Sequence, residues 1–281
     1  MEDVRKFIEP YVAFDKPVEY EGFKIYPIKA KDYYDFVNNY IVLKMEKNKV
    51  PDVKIIQMSY LEYLFRIICE DESAKNAFLV VLRLSFGIEF SQKKMMPYND
   101  PITNEAFHKG AFLQLVNKNS DIARYYINGY GVQFVIEGNR VYLLLFGKRI
   151  SASQFDEIIR IIFYQNDYSY DDSPMSADFK RVVDEYYSLK NKGLVSPTIE
   201  DKMIDIMSQT GLTKEKLCEM PIRTIDKLLV TIQDAINYRI SHTYNILSTE
   251  KNDIDDWVVK KKKERYSEVF SSTDEIESKF K

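Results

Sequence analysis

The sequence predicts an α+β fold, with a hairpin-containing N-terminal and central body followed by a mainly helical domain. Three observations carry this expectation. The runs VQFVIEG and RVYLLLFG, rich in β-branched and aromatic residues, meet at Gly138-Asn139, which is the turn chemistry of a β-hairpin spanning residues 133–146. Residues 151–166 then place Phe155, Ile158, Ile159 and Ile162 at helical spacing, so that hairpin and helix can each bury one face. Beyond residue 171 the strand texture gives way to successive helical periodicities. With 281 residues the chain divides most naturally in two, residues 1–170 as the α+β body and residues 171–281 as a helical C-terminal domain with a polar tail.

In chain order, residues 4–20 read as an aromatic lead-in interrupted by Pro10 and Pro17, followed by a strand near residues 23–28. Lys31-Asp32 opens a helix in which Tyr33, Phe36, Val37, Tyr40, Ile41 and Lys44 recur at three- and four-residue intervals, and Pro51 marks the next connection. Residues 58–70 are a strong helix, with Tyr60, Tyr63, Leu64, Ile67 and Ile68 on one face; residues 77–88 fit helix or strand. Pro97 and Pro101 mark residues 89–105 as a loop or short excursion, and residues 108–131 suggest a strand and then a short helix before the hairpin. Ser151 and Ser153 are both N-cap candidates for the helix after it. After the linker-like DDSPMS, Ser176 or Asp178 begins a helix that Gly193 terminates.

The last third is helical. Ile199, Met203, Ile206 and Met207 share a face up to Gly211, Thr213 caps a short segment, and Pro221 precedes a long helix with an apolar face of Ile225, Leu228, Leu229, Ile232, Ile236, Ile240 and Tyr244. After Thr249 a polar, charged tail follows, interrupted by Ile254, Trp257, Val258 and Val259. It reads as a solvated helical end or tail, with partner binding through Trp257 and the adjacent lysines as the other reading.

Composition narrows the function classes. A formal charge of −3 with 30% charged and 45% hydrophobic residues places the chain among globular proteins and gives no global support for nucleic-acid or anionic-membrane binding. The 21 tyrosines and 17 phenylalanines fill cores, and tyrosine also suits wet protein interfaces. Cys69 and Cys218 sit in apolar surroundings and are expected as reduced, largely buried thiols without a redox or zinc pattern. The N-terminus lacks the apolar segment of a secretion signal and no run is long enough to cross a bilayer, so synthesis inside the cell with no membrane partner is expected.

No local catalytic, metal or cofactor motif emerges. Gly129 and Gly131 do not complete a phosphate-binding loop and read as turns; His108 and His242 have no zinc-ligand pattern around them. Asp171-Asp172 and Asp255-Asp256 read as solvated acids rather than a cation site. The run Lys260 to Lys263 is followed closely by Glu264, Glu268, Asp274, Glu275 and Glu277, which leaves no extended basic groove. The expectation is a non-enzymatic protein with no cofactor and no specific nucleic acid.

The segment GKRISASQFDEIIRIIFYQND, with its strand, glycine turn, buried Phe and helix ending in Gln165-Asn166, resembles phage tail-assembly proteins. So does the succession TIEDKMIDIMSQTGLTKEKLCEMPIRTIDKLLVTIQDAINYRISHTY followed by Asp256-Trp257; together these cover roughly the second half of the chain. The resemblance implies a tail-assembly chaperone, acting in the host cytoplasm by contacts with the tail-tube or tape-measure protein. The alternative is a structural tail or baseplate adaptor retained in the virion. Within either reading, Tyr238, Tyr244 and Trp257 are the candidate partner-binding residues, while Ile232, Ile236 and Ile240 are expected to hold the long helix against its own domain.

Overall fold

The structure, a computed structural model, describes residues 4–44, 52–87, 112–116, 122–127, 132–138, 140–145, 147–170, 176–193, 195–249, 254 and 258. It is an α+β fold: helices combined with a two-stranded and a five-stranded antiparallel sheet. The chain separates into two compact units. Met1–Tyr170 and Cys218–Thr224 form the first; Asp171–Leu217 and Ile225–Lys281 form the second.

The first unit opens with helix α1 (Val4–Val12) and the hairpin β1 (Val18–Tyr20) to β2 (Phe23–Ile25). The aromatic lead-in of residues 4–20 is therefore a helix followed by a strand. Pro10 lies in the last turn of α1, where its missing N–H leaves the Lys6 carbonyl without its usual helical donor. Helix α2 (Tyr33–Asn39) follows a 3₁₀ turn that begins at Ala30. After the short α3 (Val53–Gln57), Ser59 starts α4 (Tyr60–Glu70) with a reciprocal capping box to Glu62. Asp71 then caps α5 (Glu72–Phe86), so the ambiguous residues 77–86 are helix. Leu61, Leu64 and Ile68 are the buried residues of α4, whereas Cys69, one residue beyond Ile68, is exposed, which corrects its expected burial.

Strands β3 (Phe112–Val116), β4 (Ile122–Ile127), β5 (Val132–Glu137), β6 (Arg140–Leu145) and β7 (Lys148–Ile150) form one antiparallel meander in chain order. β4 takes the place of the short helix expected before the hairpin. Its residues pair throughout with β5, from Ile122 opposite Glu137 to Ile127 opposite Val132, and non-local pairing of this kind overrides local spacing. The β5–β6 hairpin forms as the sequence indicates, with Gly138 at φ +56°, a left-handed conformation that favours glycine. Ser151, not Ser153, caps α6 (Ala152–Asn166), through a capping box with Gln154.

Val132 and Phe134 of β5 and Val141, Leu143 and Leu145 of β6 are buried. An aromatic cluster joins this face to the helices: Phe134 lies 5.1 Å from Phe65 and 6.1 Å from Phe78, and Phe78 lies 6.2 Å from Phe155 between ring centroids. Aromatic pairs of this type add about 0.5–1.5 kcal/mol each beyond their area burial.

Gln165 and Asn166, at the end of α6, are polar yet buried. The Ile28 N–H donates to Asn166 Oδ1 at 2.7 Å, Asn166 Nδ2 donates to the Ile162 carbonyl at 2.8 Å, and Gln165 Nε2 donates to the Ile25 carbonyl at 3.1 Å. Gln165 and the Oδ1 of Asn166 satisfy backbone groups at and beyond the end of β2. The returning segment Cys218–Thr224 runs antiparallel to the same stretch. Ala30 N–H donates to Met220 O and Ile222 N–H to Ile28 O, each at 2.8 Å, while Glu219 receives Lys29 at 2.6 Å and Lys31 at 2.7 Å. Arg223 Nη1 donates to the Tyr164 carbonyl at 2.8 Å, and Thr224 Oγ1 donates to Asp15 at 2.6 Å.

In the second unit, Ser176 caps α7 (Ala177–Lys190), and Gly193 lies three residues beyond the end of that helix. Thr198 and Asp201 form the capping box of α8 (Ile199–Thr210), which Gly211 ends in the left-handed conformation at φ +70°. The short α9 (Lys214–Glu219) precedes α10 (Ile222–Leu247), whose residues from Ile225 onward belong to this unit. Its buried apolar side chains include Val183, Ile199, Met203, Ile206, Leu217, Ile225 and Leu229, and Lys202 bonds Asp226 at 2.7 Å between α8 and α10.

Candidate protein-binding surface

Helix α10 holds 26 residues without an internal glycine or proline, so it extends as a continuous rod of about 39 Å at the usual 1.5 Å per residue. Ile225, Leu229, Ile232, Ile236, Ile240, Thr243 and Leu247 recur every three or four residues and therefore lie along one stripe. The cover over that stripe runs out along the helix. Ile225 is fully buried and Leu229 buried, Ile232 and Ile236 are half-buried, and Ile240 is 61% exposed. Tyr244 is 46% and Leu247 81% exposed, and Ile246 beside them is exposed as well. The expectation that Ile240 secures the helix to its own domain is thus corrected: it is exposed, one turn beyond the half-buried Ile236.

Charge follows the same gradient. Residues 235–249 contain one charged side chain, Arg239, in a chain that is 30% charged. Depletion of Lys, Glu and Asp, with Tyr and Arg retained, is the composition of a protein interface core rather than of a solvated helix. Thr243 donates its hydroxyl to the Arg239 carbonyl at 2.9 Å, so its polar atom is satisfied inside the helix.

Of the three aromatic candidates, Tyr244 stands on the exposed stripe. Tyr238 is half-buried and packs its ring on His242, 4.3 Å between centroids, on a different side of the helix. Trp257 lies outside the described residues, as do His108, Gly129, Gly131, the acidic pairs at 171–172 and 255–256, and Lys260 to Lys263. Ile246 and Leu247, absent from the sequence-based apolar face, are its most exposed members. The signal that marks them is the loss of charge after Asp234.

A second concave feature lies in the first unit, a cleft of about 270 Å³ between the β1–β2 turn, β7 and the start of α6. Tyr20, Phe23, Lys148, Arg149, Ile150 and Gln154 are among the residues lining it. Its cations are engaged by the fold: Lys148 Nζ donates to the Gly22 carbonyl at 2.9 Å, and Arg149 pairs with Glu137 while stacking 3.5 Å from the Tyr142 ring centroid. Burial, reinforced by the Glu21 and Glu157 carboxylates, raises the Tyr20 phenol above its ordinary pKa and favours its neutral form. No nucleophile–base pair is found among these lining groups, and among the described residues no group of three or more His, Cys, Asp or Glu is placed to hold a metal ion.

Among the described residues no helix is long and apolar enough to cross a membrane. The chain matches none of the family models, curated proteins or solved structures with which it was compared.

Proposed function

We propose that the chain is a non-enzymatic phage tail-assembly factor, a chaperone that works through protein–protein contacts in the host cytoplasm. The observation that carries the contact mechanism is the apolar stripe of α10 continuing exposed through Ile240, Tyr244 and Leu247 after its cover thins past Leu229 to the half-buried Ile232 and Ile236. An apolar helix face flanked by Tyr, Asn, Ser and Thr suits reversible capture of a client's own apolar surface, with no metal or nucleotide required. The resemblance of residues 147–167 and of the α8–α10 succession to tail-assembly proteins supports the tail-tube or tape-measure protein as that client.

Co-expression with each of these two proteins, followed by affinity purification, tests the assignment. A chaperone co-purifies with its client during synthesis, and its deletion lowers the yield of assembled tails. Absence of association together with normal tails in the deletion sinks it. Quantitative mass spectrometry of finished particles then distinguishes a depleted chaperone from an adaptor kept at fixed stoichiometry in the tail or baseplate.

A further inference from the structure

We propose that the α10 stripe from the half-buried Ile232 to the exposed Leu247 is also a self-association surface, through which two copies of the chain pair antiparallel with their α10 helices crossing at Ile240. A two-fold contact is isologous, so its patch must be complementary to itself when reversed. The α10 stripe has that property. Counted from Ile240, apolar side chains lie eight and four residues before it, at Ile232 and Ile236, and four and seven residues after it, at Tyr244 and Leu247. Reversal about Ile240 therefore sets Ile236 against Tyr244 of the second copy, Ile232 against its Leu247, and Ile240 against itself. Thr243 enters this seam with its hydroxyl already bonded to the Arg239 carbonyl, so pairing strands no polar group there.

Electrostatics favours the same occupant. The charged side chains within residues 232–247 are Asp234 and Arg239, which reversal about Ile240 sets level with Ile246 and Ser241 of the second copy, so no like charges oppose each other across the seam. Both Arg239 residues fall at its rim, where the long stem covers apolar surface and the guanidinium stays in water. With three exposed and two half-buried apolar side chains per copy, contributing at most on the order of 100 Å² each, the pair covers no more than about 1,000 Å², in the range of weak, transient encounters. The dimer is accordingly weak and concentration-dependent. It uses the stripe assigned above to the client but does not depend on that assignment; if both hold, client and second copy compete for α10.

Light scattering coupled to size exclusion reads the mass of the full chain directly. Between about 1 and about 200 μM it is expected to climb from 33.2 kDa towards twice that value, with Ile240→Glu weakening association at least about tenfold. Because Ile240 is exposed in the single chain, the variant is expected to keep the wild-type circular dichroism and melting temperature. Geometry is tested in a Cys69→Ser, Cys218→Ser background under mild oxidation. Ile240→Cys is expected to cross-link to itself, and Tyr244→Cys to cross-link to Ile236→Cys but not to itself. A constant monomer mass overturns the dimer, a dimer unaffected by Ile240→Glu overturns the surface, and efficient Tyr244→Cys self-linking overturns the antiparallel crossing. A monomeric chain that still captures a tail protein removes the dimer alone; a dimer that captures none removes the chaperone reading alone.

Discussion

Replacing Asn166 with Leu tests how the first unit holds the chain that leaves β2. The substitution keeps the branched side-chain shape but deletes Nδ2 and, more consequentially, Oδ1, the acceptor 2.7 Å from the Ile28 N–H in a site where Asn166 is buried. A buried donor left without its acceptor costs about 1–3 kcal/mol. The adjacent Gln165 supplies the control. Gln165→Met also removes a bond, Nε2 to the Ile25 carbonyl at 3.1 Å, but it deletes Oε1 as well, a buried oxygen without a hydrogen-bond partner. Gain and loss then largely offset, and the variant is expected within about 0.5–1 kcal/mol of wild type. Native-state amide exchange is the suitable assay, because it isolates the first unit in a chain of two. Asn166→Leu should reduce Ile28 protection by one to two orders of magnitude, about 1.4 kcal/mol per tenfold, and lower the urea midpoint. Equal effects from both substitutions, or unchanged Ile28 exchange in Asn166→Leu, would refute the role assigned to the buried amide.

Other perturbations have equally specific outcomes. Hydrogen bonds from Lys29 and then Lys31 hold the Glu219 carboxyl at about 2, below its ordinary 4.5. Because the folded-state value is depressed, its stabilisation is complete above pH 4.5 and fades as pH falls towards 2; protection of the Ile222 amide, measured against its intrinsic exchange rate at each pH, should fall in that window, and Glu219→Gln should remove the dependence. Burial around the sulfur, with a smaller contribution from Glu70, raises the Cys69 thiol to about 11 although the residue as a whole is exposed. Alkylation of Cys69 at pH 8 should run well below the rate of a free thiol and rise as pH approaches 11; rapid labelling at pH 8 contradicts this. Phe134→Ala, at the centre of the aromatic cluster, should destabilise the first unit by about 3–5 kcal/mol in urea unfolding, and a loss under 1.5 kcal/mol is inconsistent with the packing described.

Elements governed by short-range chemistry were legible in the sequence. Gly138-Asn139 between alternating runs marked the β5–β6 hairpin, and Gly211 marked the end of α8. Where two serines competed at the start of α6, Gln154 decided for Ser151, since it is the partner three residues on that completes the capping box. β4 was misread because ARYYI carries no clear period of its own, and its pairing with β5 is what makes it a strand. The clasp of Glu219 on Lys29 and Lys31 joins positions 190 and 188 residues apart, a separation over which local pattern carries no information. On α10, periodicity identified the apolar stripe but not where its cover ends. That depends on the reach of the neighbouring side chains, so Ile240 read as core and Ile246 and Leu247 went unnoticed, while the missing charge after Asp234 stood in plain view.

The most direct test of α10 as a partner-binding surface is the affinity of the purified chain for tail-tube and tape-measure proteins, measured beside its melting temperature, for wild type and Leu247→Glu. Leu247 is 81% exposed, so a charge placed there costs the folded chain little, whereas burying that charge against a client costs the complex several kcal/mol, of which about 2 kcal/mol already corresponds to some thirtyfold in affinity. The expected result is binding of at least one of these proteins, weakened at least tenfold by Leu247→Glu with the melting temperature unchanged. Affinity indifferent to Leu247→Glu, or affinity and melting temperature falling together, would contradict it.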